Sequence, residues 1–435
     1  MKLAFDDPDL DAQLVRTIAA APAGCADLGE AYATAVRITD GDRDAWHDQW
    51  RRSADTTLAL AEACLAGGHR TSARDGLLRA CEYYRQAFYF LRHDLDDPRL
   101  ADAYAAHRDT FRQAIPLLPW TCQPVQIPYQ ATTLAGYLLR PTPDLRPRPT
   151  VLAPAGYDST AEAGYPATAV HALTRGYACL VYEGPGQGGV LYRQRLFLRH
   201  DYEHVLTPVV DWLSAQPGVD PARIALVGHS FAGYLGLRGA TGEPRLTALV
   251  LNPAQYDFAA RLRAMLGDEL YDWVQAGDPA ADAAVDRLVS DPHQRQDLLA
   301  RAAAHGTATL GDYLRRCRGL APVGWPTASP APPWSWTPRT TSPPTARPTS
   351  WPPTSPALSP VTASPVPTAL PATAAAWASN VSPRSSLTGS ILPWRDPTAR
   401  RPRHLRPKLA AAPMIRGVEA ARLRSAGSGA TWSGP

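Results

Sequence analysis

RIALVGHSFAG, residues Arg223–Gly233, is the stretch from which the fold can be read. Ile224–Val227 is a short apolar, β-rich run and reads as a buried strand. Gly228 ends it, Ser230 follows, and Phe231-Ala232-Gly233 opens a helical pattern. Strand, tight turn and helix around G-x-S-x-G are the setting of a nucleophile elbow. The turn needs small residues because the strand and helix backbones nearly touch. Gly228 and Gly233 meet that need, and Ala232 stands where the pattern usually has Gly. Such a turn lifts the Ser230 hydroxyl clear of the sheet and aims the Phe231 N–H at the same point, where it could hold a developing oxyanion. The plainer alternative is a serine in an ordinary βα turn, and the flanking pattern has to decide between them.

Upstream, Val125–Tyr129 and Leu134–Leu139 read as a hairpin. Thr150–Ala153 is a short strand that runs into Pro154-Ala155-Gly156-Tyr157-Asp158-Ser159. A helical run, Ala163–Thr174, leads to the strand Ala178–Tyr182, which ends in EGPGQGG, residues Glu183–Gly189. A helix over about Tyr202–Ala215 leads to the elbow strand, and Leu246–Leu251 follows the elbow helix. Strands alternating with helices indicate a mostly parallel sheet covered on both faces. Loops at the carboxyl ends of such strands build the site, and Ser230 and Gly156–Ser159 both lie there.

Helical blocks flank this core. Asp42 precedes a helix with Trp46, Trp50 and Ala54 on one face, stopped by Gly67-Gly68. Ser72 is placed as the cap of a second helix, whose Leu77, Cys81, Tyr84 and Phe88 form an apolar stripe. Asp97-Pro98 opens a third. Residues 259–317 return to helices. The two blocks, about 20–118 and 259–317, are expected to meet on the carboxyl-end side of the sheet and roof the pocket over Ser230. The expected division is 1–118 N-terminal cap, 119–258 core, 259–317 lid and 318–435 tail.

Composition narrows the function classes. Apolar residues make up 45% and the net charge is only +4, with basic residues scattered, so no nucleic-acid surface is indicated. The opening MKLAFDDPDLDAQL is acidic and lacks an apolar core, so no signal peptide is expected. No run is apolar and long enough to cross a membrane. The six cysteines are widely spaced without a C-x-x-C pair, which fits a reduced, cytoplasmic setting. His200 and His204 lie four apart on a predicted helix, but Asp201 stands where a zinc motif needs Glu, and a solvated face is the better reading. Asp211 and Asp257 are acids near the sheet, but neither follows the strand after the elbow helix at the triad position. No phosphate-binding glycine fingerprint occurs. No metal and no cofactor are expected; the expected partner is a small-molecule substrate, and a homodimer is left open.

The segments SARDGLLRACEYYRQA, IPYQATTLAGYLLRP, PAGYDST, EGPGQG, VDWLSAQPGVDPARIALVGHSFAGYLGLRGA and LNPAQYDF together resemble the α/β-hydrolases with an N-terminal helical cap, the group of dihydroxypseudooxynicotine hydrolase and the fermentation-respiration-switch esterases. The resemblance runs from about residue 25 to 317. It implies an α/β-hydrolase fold, Ser230 as nucleophile, and an oxyanion hole made by the N–H groups of Phe231 and Tyr157. Glu183 replaces the Asp of the family's DGPGQG, and that loop is read as structural. The triad acid and histidine of this fold follow in later strands and loops.

There the sequence departs. After Cys317 the only carboxylates are Asp396 and Glu419 and the only histidine is His404, while seven tryptophans occur without Phe or Tyr. About half of the 44 prolines lie there. An interaction tail of Pro, Ser and Thr would be disordered and poor in aromatics. An out-of-frame ending explains the tryptophans. Shifted codons over Gly324–Pro338 permit LADRITCPALVVDP, and Trp336-Thr337 forces its Asp, because TGG followed by AC reads GAC. Pro371-Ala372-Thr373 permits Gly-His-Cys, and Ser386–Ile391 permits Phe-Asp-Trp-Leu-Asp. The expectation is therefore a serine hydrolase of an ester, amide or C–C ketone bond, its sheet incomplete at the C-terminal edge, its tail disordered and its activity impaired. The rival is a non-catalytic protein that keeps the hydrolase shell and binds a small molecule or partner.

Overall fold

The computed structural model describes residues 2–320, so the expectations about the tail, its disorder and His404 lie outside the described residues. Six strands form one sheet in the order β1-β2-β4-β3-β5-β6. β1 (Thr121–Tyr129) and β2 (Thr132–Arg140) are the hairpin, with Ile127 opposite Leu134. β2 runs antiparallel to β4 (Ala178–Tyr182). β3 (Arg148–Pro154), β5 (Val219–His229) and β6 (Leu246–Asn252) complete a parallel set with β4. The result is a mixed sheet wrapped by helices, the α/β-hydrolase architecture.

Alternation along β4 divides the core. Leu180 and Tyr182 join a cluster with Val205, Leu206 and Val209 of α8 (Glu203–Ser214) and Leu235 of α9 (Ala232–Ala240), while Cys179 and Val181 join another on the opposite face. Helices α1 (Pro8–Ile18), α2 (Leu28–Ala35), α3 (Arg43–Ala66), α4 (Arg70–Phe88) and α5 (Pro98–Ala114) make the N-terminal block. Asp42 and Asp97 cap α3 and α5 with their carboxylates. Ser72 does not cap α4: that helix begins two residues earlier at Arg70, with His69 at its N-cap and no side-chain cap bond. The run Ala163–Thr174 is not one regular helix but a π-helical turn, Tyr165–Ala169, followed by α6 (Val170–Leu173). A short helix absent from the sequence reading, α7 (Gly188–Tyr192), follows EGPGQG. α8 (Glu203–Ser214) and α9 (Ala232–Ala240) flank the elbow strand.

Among the described residues five helices follow β6: α10 (Phe258–Leu266), α11 (Asp268–Gln275), α12 (Pro279–Leu288), α13 (Pro292–Ala304) and α14 (Leu310–Cys317). The N-terminal and C-terminal helical blocks meet through polar groups. Arg43 donates to Asp297 at 3.0 and 3.1 Å, to Gln296 at 2.6 Å and to the His293 carbonyl at 3.1 Å. Their apolar stripes are buried in different clusters. Among the described residues nothing pairs with the outer side of β6, and its Val250 is 47% exposed in the apolar run LTALVLN. Apolar parallel strands are ordinarily covered.

Candidate active site

The elbow starts from backbone sterics. Ser230 has φ +56°, a left-handed conformation that L-residues adopt only where the surroundings impose it. Its N–H donates to the Asn252 carbonyl at 2.7 Å, and its own carbonyl accepts from Gly233 at 2.9 Å. A Cβ on Gly228 would stand 2.3 Å from the Ala232 carbonyl oxygen, and one on Gly233 would stand 2.1 Å from that of Pro253. Only glycine fits either place. Ala232 is fully buried in the turn, so the methyl group that replaces the usual hydrogen is accommodated. Ser230 itself is exposed. Phe231 is the N-cap residue of α9, whose first-turn amides have no acceptor within the helix.

The loop after β3 lies against this elbow. A Cβ on Gly156 would be 3.3 Å from the His229 carbonyl oxygen and 3.7 Å from the Phe231 nitrogen. The Tyr157 ring stacks on the Phe231 ring at 3.9 Å between centroids. The Ala155 N–H donates to Tyr182 at 3.0 Å, and its carbonyl accepts from Gln187 Nε2 at 2.6 Å. Asp158 accepts from Arg16 at 2.6 Å and from the Tyr89 hydroxyl at 3.0 Å. Although Asp158 is partly withdrawn from water, the guanidinium groups of Arg16, Arg92 and Arg85 hold its carboxyl well below the usual range.

Glu183 braces the same region. Its carboxylate accepts from the N–H groups of Ala161 at 3.1 Å and Gly189 at 2.8 Å. A Cβ at Gly188 would fall 2.0 Å from one of its oxygens. Burial, reinforced by the nearby Glu162, pushes the Glu183 carboxyl up to about 8. Although burial disfavours its charge, Glu162 is held below its ordinary value by His107, 3.4 Å from its carboxylate, and by the Tyr137 hydroxyl, which donates to it at 2.7 Å. A small cavity of about 10 Å³, room for about one water, lies beside Cys81, His107 and Glu162, away from the elbow.

Other sequence candidates separate from Ser230. α8 begins at Glu203, so His200 precedes the helix and does not share a helical face with His204. Among the described residues no group of three or more ligating side chains could hold a metal. Asp211 pairs with Arg245, and Asp257 caps α10 through the Ala260 N–H. The histidines that hydrogen-bond among the described residues, His47, His93, His107, His293 and His305, do so to groups other than Ser230. Sequence reasoning missed Gln187, Asp158 and His305. Gln187 and Asp158 stood inside quoted motifs, whereas no local signal marks His305.

A sequence model described as esterase FrsA-like matches residues 11–257. The hydrolase LUC6 of a Fusarium species is 38% identical over 246 residues, 55% of this chain and 58% of its own length. The 20-hydroxy-prefusarin hydrolase FUS2 of Gibberella moniliformis is 37% identical over 246 residues, with the same coverage of 55% and 58%. The chain thus spans under two thirds of the length of these relatives. Wild-type AbyA5 superimposes with a TM-score of 0.50 at 22% identity, covering 73% of this chain and 75% of that one, a likeness of fold. No helix among the described residues is long and apolar enough to cross a membrane.

Proposed function

This chain belongs to the FrsA-like esterase family, a family of α/β-hydrolases, and from that premise we propose that Ser230 is a hydrolytic nucleophile acting on an ester, amide or C–C ketone bond of a small molecule. The observation that carries the reading is the left-handed Ser230 between two glycines that tolerate no Cβ. Backbone strain of that kind persists where the surroundings over-determine it, and functional turns are such places. In the proposed reaction Ser230 Oγ attacks the carbonyl carbon, and a base takes its proton. The carbonyl oxygen gathers charge between the N–H groups of Phe231 and Tyr157. The intermediate collapses by breaking the ester, amide or C–C bond, the leaving group departs with the proton from the base, and water then hydrolyses the acyl–Ser230 ester.

The base and its orienting acid belong, on the reading-frame argument, to a gene ending that this chain translates out of frame. The full chain is then a hydrolase shell with residual reactivity, since oxyanion stabilisation and binding alone retain only part of the catalysis. The test is labelling with a fluorophosphonate, which forms an O–P bond to Ser230 and expels fluoride. Slow labelling of the full chain, abolished in Ser230→Ala and accelerated when the frame is restored near codon 317, is expected. An unlabelled chain in both frames would favour the rival reading of a non-catalytic binding protein. An intact frame on resequencing overturns the account of the missing base.

A further inference from the structure

The loop Ala155–Thr160 is held from several elements at once. Gln187 of the loop after β4 holds Ala155, the elbow holds Gly156, Arg16 and Tyr89 of the N-terminal block hold Asp158, and His107 of α5 lies 2.9 Å from Thr160 Oγ1. Tyr157 is gripped from the C-terminal helices. Its hydroxyl and His305 Nε2 are hydrogen-bonded at 2.6 Å. His305 is the C-cap residue of α13, and the Tyr313 ring of α14 meets it edge-on at 5.4 Å. Phe258 of α10 meets the Phe231 ring at 5.2 Å. The Tyr157 ring is thus pressed on Phe231 while its hydroxyl is tied to α13.

We propose that His305 is a positioning residue that sets the Tyr157 N–H of the oxyanion hole and makes its geometry depend on the seating of helices α10–α14. The inference rests on the reading of Ser230 and its oxyanion hole given above. Its physical basis is that Tyr157 and His305 are both buried, so separating them removes a hydrogen bond between two groups shielded from water. His305 stays neutral, because burial and the Arg316 charge push it down to about 3. The bond therefore persists across the neutral range. A donor displaced by a fraction of an ångström loses much of its hold on the developing charge.

The test compares the full chain with Tyr157→Phe, His305→Ala, His305→Gln and the Tyr157→Phe/His305→Ala double variant. Tyr157→Phe keeps the ring stack and deletes only the hydroxyl. Hydrogen exchange of the amides in 155–161 should accelerate about tenfold in Tyr157→Phe and in His305→Ala, and no further in the double variant. The rate constant for fluorophosphonate labelling of Ser230 at saturating probe should fall by about ten- to a hundredfold in the same variants. The half-saturating probe concentration should stay unchanged, and His305→Gln should regain most of the rate. Unchanged exchange, losses that multiply in the double variant, or a loss confined to probe affinity would each overturn the proposal. A parent chain that is not labelled at Ser230 refutes the nucleophile reading instead, and the exchange data then decide whether the clamp exists.

Discussion

At the scale of single residues, the chain places its costs around one loop. Ser230 occupies a left-handed conformation, and Glu183 lies buried in a site made for a carboxyl group. Glu183 supports a prediction with a definite sign. Its folded value, about 8, lies above the ordinary 4.5. Its contribution to stability is complete below about 4.5, where folded and unfolded chains both keep the proton. The contribution is lost as pH rises toward 8, because the unfolded chain ionises first. Urea unfolding should therefore show stability falling between about pH 5 and 8, and Glu183→Gln should remove part of that fall. Asp9, pushed up to about 7 by burial and by Asp297, adds a fall of the same sign that the variant keeps. Parallel profiles for parent and variant would show that Glu183 is ionised in the fold.

At the scale of elements, the elbow is a contact between backbones. β5 delivers Ser230, α9 carries it away, and Gly233 lets the Pro253 carbonyl approach from the segment after β6. Gly233→Ala would set a methyl carbon 2.1 Å from that oxygen, so the segment must move. A loss of about 1–3 kcal/mol is expected from such overpacking. It should appear as a lower urea midpoint, together with loss of Ser230 labelling. A variant as stable and as reactive as the parent would mean that the turn yields at little cost. The G-x-S-x-G spacing was legible because it states this steric demand directly. The start of α4 was not, because Ser72 has the chemistry of a cap but the helix continues back past it to Arg70.

At the scale of the whole molecule, the two helical blocks bury their apolar faces in different clusters and meet through Arg43. This guanidinium is almost wholly buried, lies 4.4 Å over the Phe90 ring, and faces both Asp297 and Asp9. Arg43→Ala should cost about 3 kcal/mol, since it leaves two carboxylates facing each other without their cation. The urea midpoint and the exchange rates of α13 would report it. A change below about 1 kcal/mol would mean that the blocks are joined by other contacts. The open side of β6 belongs to the same scale: an apolar run fit for the middle of a sheet stands at its edge among the described residues.

The sequence by itself determined the strands, the parallel core and the elbow. Period-2 and period-3.6 patterns, and the demand of Gly228 for no Cβ against Ala232, are demands between near neighbours, and near neighbours are adjacent in the text. It also placed Gly156–Ser159 at a strand's carboxyl end, beside the elbow. What held that loop was decided only in three dimensions. Arg16 reaches Asp158 across 142 positions, and His305 reaches Tyr157 across 148. No periodicity relates such pairs. They meet because two helical blocks, each folded on its own pattern, come down on the same loop, and the partners there depend on how whole faces pack. A stripe states that a face must be buried, and only the tertiary structure states against what.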